Sequence, residues 1–227
     1  MRPIPLISQP NIPSTEHDKY NAVGIVKPRR ENGKRFSLRG SVVFTKGWLL
    51  WLRCGILIKN SKAGIRMTIR DYQSDDLSGA AAIWNDIVAR GDSFPGDTSL
   101  TSAEADRFFR SQSRTAVAEE NGRIVGLYVL HPNNIGRCAH IANASYGVAA
   151  GLRGRGLGRA LVTDSLESAR KCGFRGLQFN AVVAENAAAV ALYEKLGFVR
   201  LGTVPGGYRH ADGRFVDTYL YFYDLTR

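Results

Sequence analysis

Cysteine is scarce in this chain: Cys54, Cys138 and Cys172 are its three, none in a CxxC pair and one left over from any pairing. A disulfide framework and a cysteine-based zinc site are excluded on that count. A reducing compartment is expected, with the thiols acting as small apolar side chains. Long apolar runs are missing too. The stretch from Trp48 to Ile58 is broken by Arg53, whereas a bilayer span needs about 20 apolar residues. It also begins too far from Met1 to be an ordinary signal-peptide core. The four histidines, His17, His131, His140 and His210, have no metal-ligand spacing. No metal is therefore expected, and each ring is read as structural or solvated.

Acidic residues are rare in one part of the chain only. Residues 1–66 carry 13 Lys and Arg against 3 Asp and Glu, while residues 67–227 carry 18 against 17. The net charge of +11 therefore belongs to the leader. Six of the eight lysines also precede Met67, as do five of the eight prolines. Without helical or strand period, and with the cluster Lys27-Pro28-Arg29-Arg30, residues 1–66 read as a basic extension, disordered or foreign to the domain. The domain is expected over 67–227, with Met67 as its start. A basic tail can touch nucleic acid or anionic lipid, but the near-neutral body argues against nucleic acid as the partner. A leader rich in Arg and poor in acids leaves a mitochondrial address open beside the cytoplasm, although its prolines disrupt an amphipathic helix.

With 44% hydrophobic residues, the 227-residue chain can bury a sizeable core. From Met67 on, strands and helices alternate. Met67–Tyr72 reads as a strand. Leu77–Ala89 has helical spacing through Leu77, Ala81, Trp84 and Val88 and stops at Gly91. Thr101–Gln112 reads as a helix capped by Ser102, with Ala105, Phe108 and Phe109 inward. Thr115–Glu119 and Ile124–Leu130 form a hairpin across Asn121-Gly122, a pair that tolerates positive φ. Strands are expected at Cys138–Val148, Gly176–Val183, Phe198–Thr203 and Val216–Tyr223, and helices at Gly156–Cys172 and Asn186–Leu196. The fold class is α/β (α+β), with a mixed, mostly antiparallel central sheet flanked by helices.

Between one strand and the next helix lies Val148-Ala149-Ala150-Gly151-Leu152-Arg153-Gly154-Arg155-Gly156-Leu157-Gly158-Arg159. Glycines let a backbone approach a ligand closely, and a helix start directs unpaired N–H groups at anions. Three arginines add charge-assisted hydrogen bonds. Chemically this is a phosphate site. A GxGxxG fingerprint would need Gly where Arg159 or Leu161 stands, and a Walker loop from Gly151 would need Lys where Leu157 stands. What fits is Arg153-x-x-Gly156-x-Gly158 before an amphipathic helix. The next helix opens at Asn186 and carries Tyr193 seven residues on. Seven steps of about 100° return to within about 20°, so both side chains share one face. Leu196-Gly197-Phe198 then ends it with a C-cap glycine.

These two motifs together resemble the GNAT superfamily of acetyl-CoA-dependent N-acetyltransferases. The resemblance spans about 67–227 by element order and about 140–204 by motif. It implies the acyl-CoA N-acyltransferase fold, with acetyl-CoA as co-substrate and no metal. Main-chain groups at Val148, Ala149 and Ala150 would pair with the pantetheine arm where two strands splay. The backbone of Arg153, Gly154, Arg155, Gly156, Leu157 and Gly158, with Arg159, would hold the pyrophosphate. Asn186 would bond the pantetheine arm, and Tyr193 would give its proton to the leaving thiolate.

The implied reaction moves an acetyl group to the nitrogen of a small amine or amino or imino acid, by direct attack in a ternary complex. Asn143 and Asn180, on neighbouring strands, are the candidate acceptor-binding pair. Asn180 falls in the middle of an apolar strand, where an amide needs partners. Their context, Asn143-Ala144-Ser145-Tyr146-Gly147-Val148, is similar to fungal acetyltransferases that detoxify azetidine-2-carboxylate. Glu119, Glu120, His140 and Tyr146 all stand as candidate general bases, with a water chain as the alternative. A non-catalytic acyl-CoA sensor, or an enzyme acting on an antibiotic, a protein N-terminus or lysine, remains the competing reading. A homodimer is left open.

Overall fold

The computed structural model describes residues 56–59 and 66–227. Of the basic leader, residues 1–55 and 60–65 lie outside the described residues, and with them His17, Cys54 and the Trp48 run as far as Gly55. Eight strands form one sheet in the order β1-β2-β3-β4-β5-β6-β8-β7. They are β1 (Ile56–Lys59), β2 (Arg66–Asp71), β3 (Arg114–Glu120), β4 (Arg123–Pro132), β5 (Ile141–Val148), β6 (Gly176–Val183), β7 (Val199–Arg209) and β8 (Phe215–Asp224). Four helices accompany them: α1 (Leu77–Arg90), α2 (Ser102–Ser111), α3 (Leu157–Lys171) and α4 (Ala187–Lys195). Every pairing is antiparallel except β5 with β6. The expected α/β sheet is present. Strand β1 lies before Met67 and pairs with β2, so the sheet starts earlier in the chain than the charge break.

Strand alternation sorts the core into two layers. Leu127 and Val129 of β4 face one side with Val117, where Ile83 and Ile87 of α1 and Phe109 of α2 cover them. Tyr128 and Leu130 face the other side, under Leu161, Val162 and Leu166 of α3. The hairpin between β3 and β4 turns on Asn121 (φ 52°) and Gly122 (φ 75°), as the Asn-Gly pair requires.

Several boundaries differ from the periodicity, each for a local reason. Helix α2 is capped by Thr101 rather than Ser102, because Thr101 and Glu104 close a reciprocal capping box. Strand β5 starts at Ile141, since Gly136–Cys138 forms a 3-10 turn before it. Strand β7 runs on to Arg209, beyond the expected end at Thr203 and through Pro205-Gly206-Gly207. As the sheet's last strand it needs no outer ladder, and its register shifts between Val204 and Tyr208. The small-hydrophobe reading of the cysteines fails at Cys138 and Cys172, both exposed. Cys172 sits past the last buried turn of α3, at its C-cap.

Helix α3 also buries two polar residues the pattern left out, Asp164 and Ser168. Asp164 accepts from Arg114 (2.7 Å) and from the Tyr128 hydroxyl (2.5 Å), and Ser168 also bonds both. Desolvation of such groups is offset only by this pairing.

Candidate active site

β5 and β6 pair at two positions only, Ile141 with Gly176 and Ala142 with Leu177. Beyond them β5 stays bonded to β4 as far as Val148, while β6 follows β8. Between Phe179 and Val182, β6 spends three steps against two on β8. That bulge bends the strand away from β5. A cavity of about 660 Å³ opens at the parting. It is bordered by Tyr146, Phe179 and Tyr193 from the α3 side and by Ile87 and Phe94 from the α1 side. The cavity therefore runs through the sheet from one face to the other.

On the α3 side, the loop after β5 turns on Gly151, Gly154 and Gly156, with φ of 75°, 80° and 83°. An L side chain at any of them is strained whatever the surrounding space. Gly156 is the N-cap of α3 and offers no side-chain acceptor, so the N–H groups of the first turn stay available to a ligand. Arg153, Gly154, Gly156, Leu157, Gly158 and Arg159 border the cavity. Arg155 does not. Its guanidinium is engaged by Glu120 at 3.0 Å. Val148 borders the cavity, whereas Ala149 and Ala150 do not, and the Ala149 N–H bonds Val125.

Asn186 caps α4 by accepting from the Ala189 N–H at 3.2 Å. Its oxygen is spent there, which leaves the Nδ2 donors for a ligand carbonyl. Tyr193 borders the same cavity, with its ring 4.5 Å from Phe179 and 6.4 Å from Tyr146. Among the described residues its hydroxyl has no hydrogen-bond partner. Burial pushes its phenol well above the ordinary range, so it keeps its proton at neutral pH.

On the α1 side, Asn143 and Asn180 both border the cavity. Asn180 is exposed rather than enclosed by its apolar strand, because the bulge leaves its side chain facing the opening. Both amides donate to one oxygen, Asn133 Oδ1, at 2.9 Å from Asn143 and 2.6 Å from Asn180. Asn133 thus bridges the parted strands. Sequence reasoning passed over it as loop, since its role depends on β5 and β6 being neighbours.

The four candidate bases fare differently from expectation. Glu119 is paired with Arg70 (2.8 Å), and Glu120 with Arg155. His140 is exposed and bonds the Arg137 carbonyl. Neither those carboxylates nor His140 border the cavity. Tyr146 does, but its hydroxyl shares a 2.7 Å bond with Ser165, and burial raises its phenol far above the ordinary range. It stays protonated. Among the described residues, no group of three or more His, Cys, Asp or Glu could hold a metal ion.

The geometry now has relatives to stand beside. The Acetyltransferase (GNAT) family model matches residues 81–198, just over half of the chain and all of the parted strands. The chain belongs to the GNAT acetyltransferase family. As a GNAT N-acetyltransferase it draws on acetyl-CoA as co-substrate. The N-acetyltransferase aca1 of Schizosaccharomyces pombe is 31% identical over 155 residues, which are 60% of this chain and 74% of that protein. The L-amino acid N-acyltransferase MnaT of Escherichia coli is 26% identical over 61% of this chain and 83% of its own. A GCN5-related N-acetyltransferase structure from Kribbella flavida superposes with a TM-score of 0.65 at 37% identity, covering 70% of this chain and 97% of that one. The fold is shared as well with yncA of Salmonella typhimurium, solved with its cofactor acetyl-CoA (TM-score 0.66, 24% identity, 70% and 94% covered). No helix among the described residues of this GNAT chain is long and apolar enough to cross a membrane.

Proposed function

We propose that this GNAT enzyme acetylates the nitrogen of a small amino or imino acid by direct attack within a ternary complex. The observation that carries the reading is the cavity through the sheet. A thioester laid along the α3 face would bring its carbonyl to the parting of β5 and β6, where an amine on the α1 face can reach it. Pyrophosphate would sit on the N–H groups at Gly156–Gly158, near Arg153 and Arg159, and the pantetheine arm along Val148 and Asn186. The amine lone pair attacks, the C–S bond breaks, and the thiolate takes the Tyr193 proton. Asn143 and Asn180 would orient the acceptor through amides whose rotamers Asn133 fixes. The relatives support a small acceptor: one is named for L-amino acids, and another, from Bacillus subtilis, as a putative phosphinothricin acetyltransferase. Two exposed free thiols suit a reducing compartment, such as the cytoplasm or the mitochondrial matrix that the sequence also leaves open.

The test is thiol release from acetyl-CoA over a panel of amino acids, azetidine-2-carboxylate, polyamines, aminoglycosides and peptides. Asn143→Ala and Asn180→Ala should each raise the Michaelis constant of the preferred amino or imino acid by about tenfold, the scale of one hydrogen bond to a charged group. The acetyl-CoA constant should not move. Variants that melt normally and acetylate every accepted amine as the parent does would sink the assignment.

A further inference from the structure

An amino acid reaches neutral solution as its ammonium form, and an ammonium nitrogen has no lone pair to attack with. Something must take that proton. Among the described residues, no carboxylate borders the cavity, and the tyrosines there, Tyr146 and Tyr193, are held protonated by burial. One imidazole does border it. His131, at the end of β4, lies directly opposite Asn143 on β5. Alternation from Leu127 and Val129 puts it on the α1 face, the face assigned to the acceptor. Its Nδ1 is 2.9 Å from the Pro132 carbonyl oxygen. A carbonyl can only accept, so Nδ1 carries the ring hydrogen, and Nε2 of the neutral ring keeps a bare lone pair.

We propose that His131 Nε2 is the general base of this acetyltransferase, acting on the nitrogen of an amino or imino acid. The proposal rests on the acceptor reading above. Nε2 first takes a proton from the acceptor ammonium and passes it to cavity water. The freed lone pair attacks the thioester carbonyl carbon. As the C–S bond breaks and its electron pair goes to sulfur, a second proton leaves nitrogen for Nε2. The thiolate takes the Tyr193 proton, and the imidazolium returns its own to the phenolate through water. One amide, one thiol and one released proton result. Other polar groups border the same cavity or bridge its edge. Asn133, Asn143 and Asn180 are neutral. Arg90, at the end of α1, borders the cavity: its Nη1 meets Asp86 and its Nε lies 3.4 Å from Asp92, while Nε and Nη2 have no hydrogen-bond partner among the described residues. Arg153 and Arg159 sit on the loop before and the first turn of α3.

The experiment compares the parent with His131→Gln from pH 6 to pH 10, using the best amine of the panel, with melting and acetyl-CoA affinity measured alongside. The variant should lose about 10²-fold or more in kcat/KM at pH 7, the usual scale of general-base catalysis. Its rate should then climb with the free-amine fraction and approach the parent at high pH, while acetyl-CoA affinity holds. His131→Ala, should Gln misfold, should regain rate when free imidazole is added. A variant whose pH profile runs parallel to the parent's, or an Ala variant that imidazole does not rescue, overturns this inference alone. A parent that acetylates no amino or imino acid on the panel overturns the acceptor reading, and this base with it.

Discussion

At the scale of single residues, chemistry depends on which polar atoms remain unspent. Tyr193 keeps a free hydroxyl on a half-buried ring, and desolvation without a charge partner holds it protonated. Tyr146, next to it and also half-buried, has its phenol tied to Ser165. One tyrosine can donate and the other is structural. Replacing Tyr193 with Phe should lower kcat by about 10²-fold or more, since only the donor is removed. Acetyl-CoA affinity, followed by calorimetry, should stay nearly constant. Equal loss of both, or of neither, would make Tyr193 a packing residue. The Asn186 and Tyr193 spacing was legible in the sequence because helical period places both on one face. Asn133 and His131 were not, since their value depends on β5 lying beside β4 and on β6 turning away from it.

Among the elements, the loop from Gly151 into α3 shows two different demands for glycine. Gly156 needs its residue type for the backbone itself, at φ 83°. Gly158 does not. It lies within the helix, and a Cβ there would meet only Leu192 Cδ2, at an ordinary 3.6 Å. What remains to exclude a larger residue at Gly158 is the ligand, since the position borders the cavity. Gly158→Val should therefore weaken acetyl-CoA binding about tenfold or more while melting shifts little, an effect of about 1.4 kcal/mol in binding. Unchanged calorimetric affinity would remove the loop from the cofactor site. At Arg155 the backbone N–H stays part of the proposed pyrophosphate loop, while the side chain goes elsewhere. Its place in a basic run suggested phosphate, but Glu120 at the end of β3 draws it aside.

For the molecule as a whole, the open matter is where the working unit begins. We propose that residues 67–227 carry the fold and the activity, since both cavity faces and both core layers are built from them. Strand β1 pairs with the outer side of β2. A 67–227 protein should still melt cooperatively and bind acetyl-CoA. Beside it, a 56–227 protein that keeps β1 serves as the control. If the longer form melts as one unit and the shorter does not, the boundary at Met67 is wrong and β1 belongs to the domain.

Local physics determined much of this protein from its sequence. Alternation gave the strands of the hairpin, helical spacing gave α1, α3 and α4, and the glycine–arginine loop gave the helix start that borders the cavity. Each of these depends on neighbours within a turn or two of chain. The edge strand β7 was underestimated because Pro205-Gly206-Gly207 breaks a ladder in a central strand but not at an edge. On the side proposed for the acceptor, Asn143 and Asn180 were legible in the sequence, but Asn133 and His131 came from tertiary structure alone. Only the two-position contact of β5 with β6, and the bulge that ends it, bring Asn143, Asn180 and Asn133 to one oxygen and leave His131 facing the opening. Those residues come from three segments spread over 50 positions of chain, and no local period can encode a distance that the sheet itself creates.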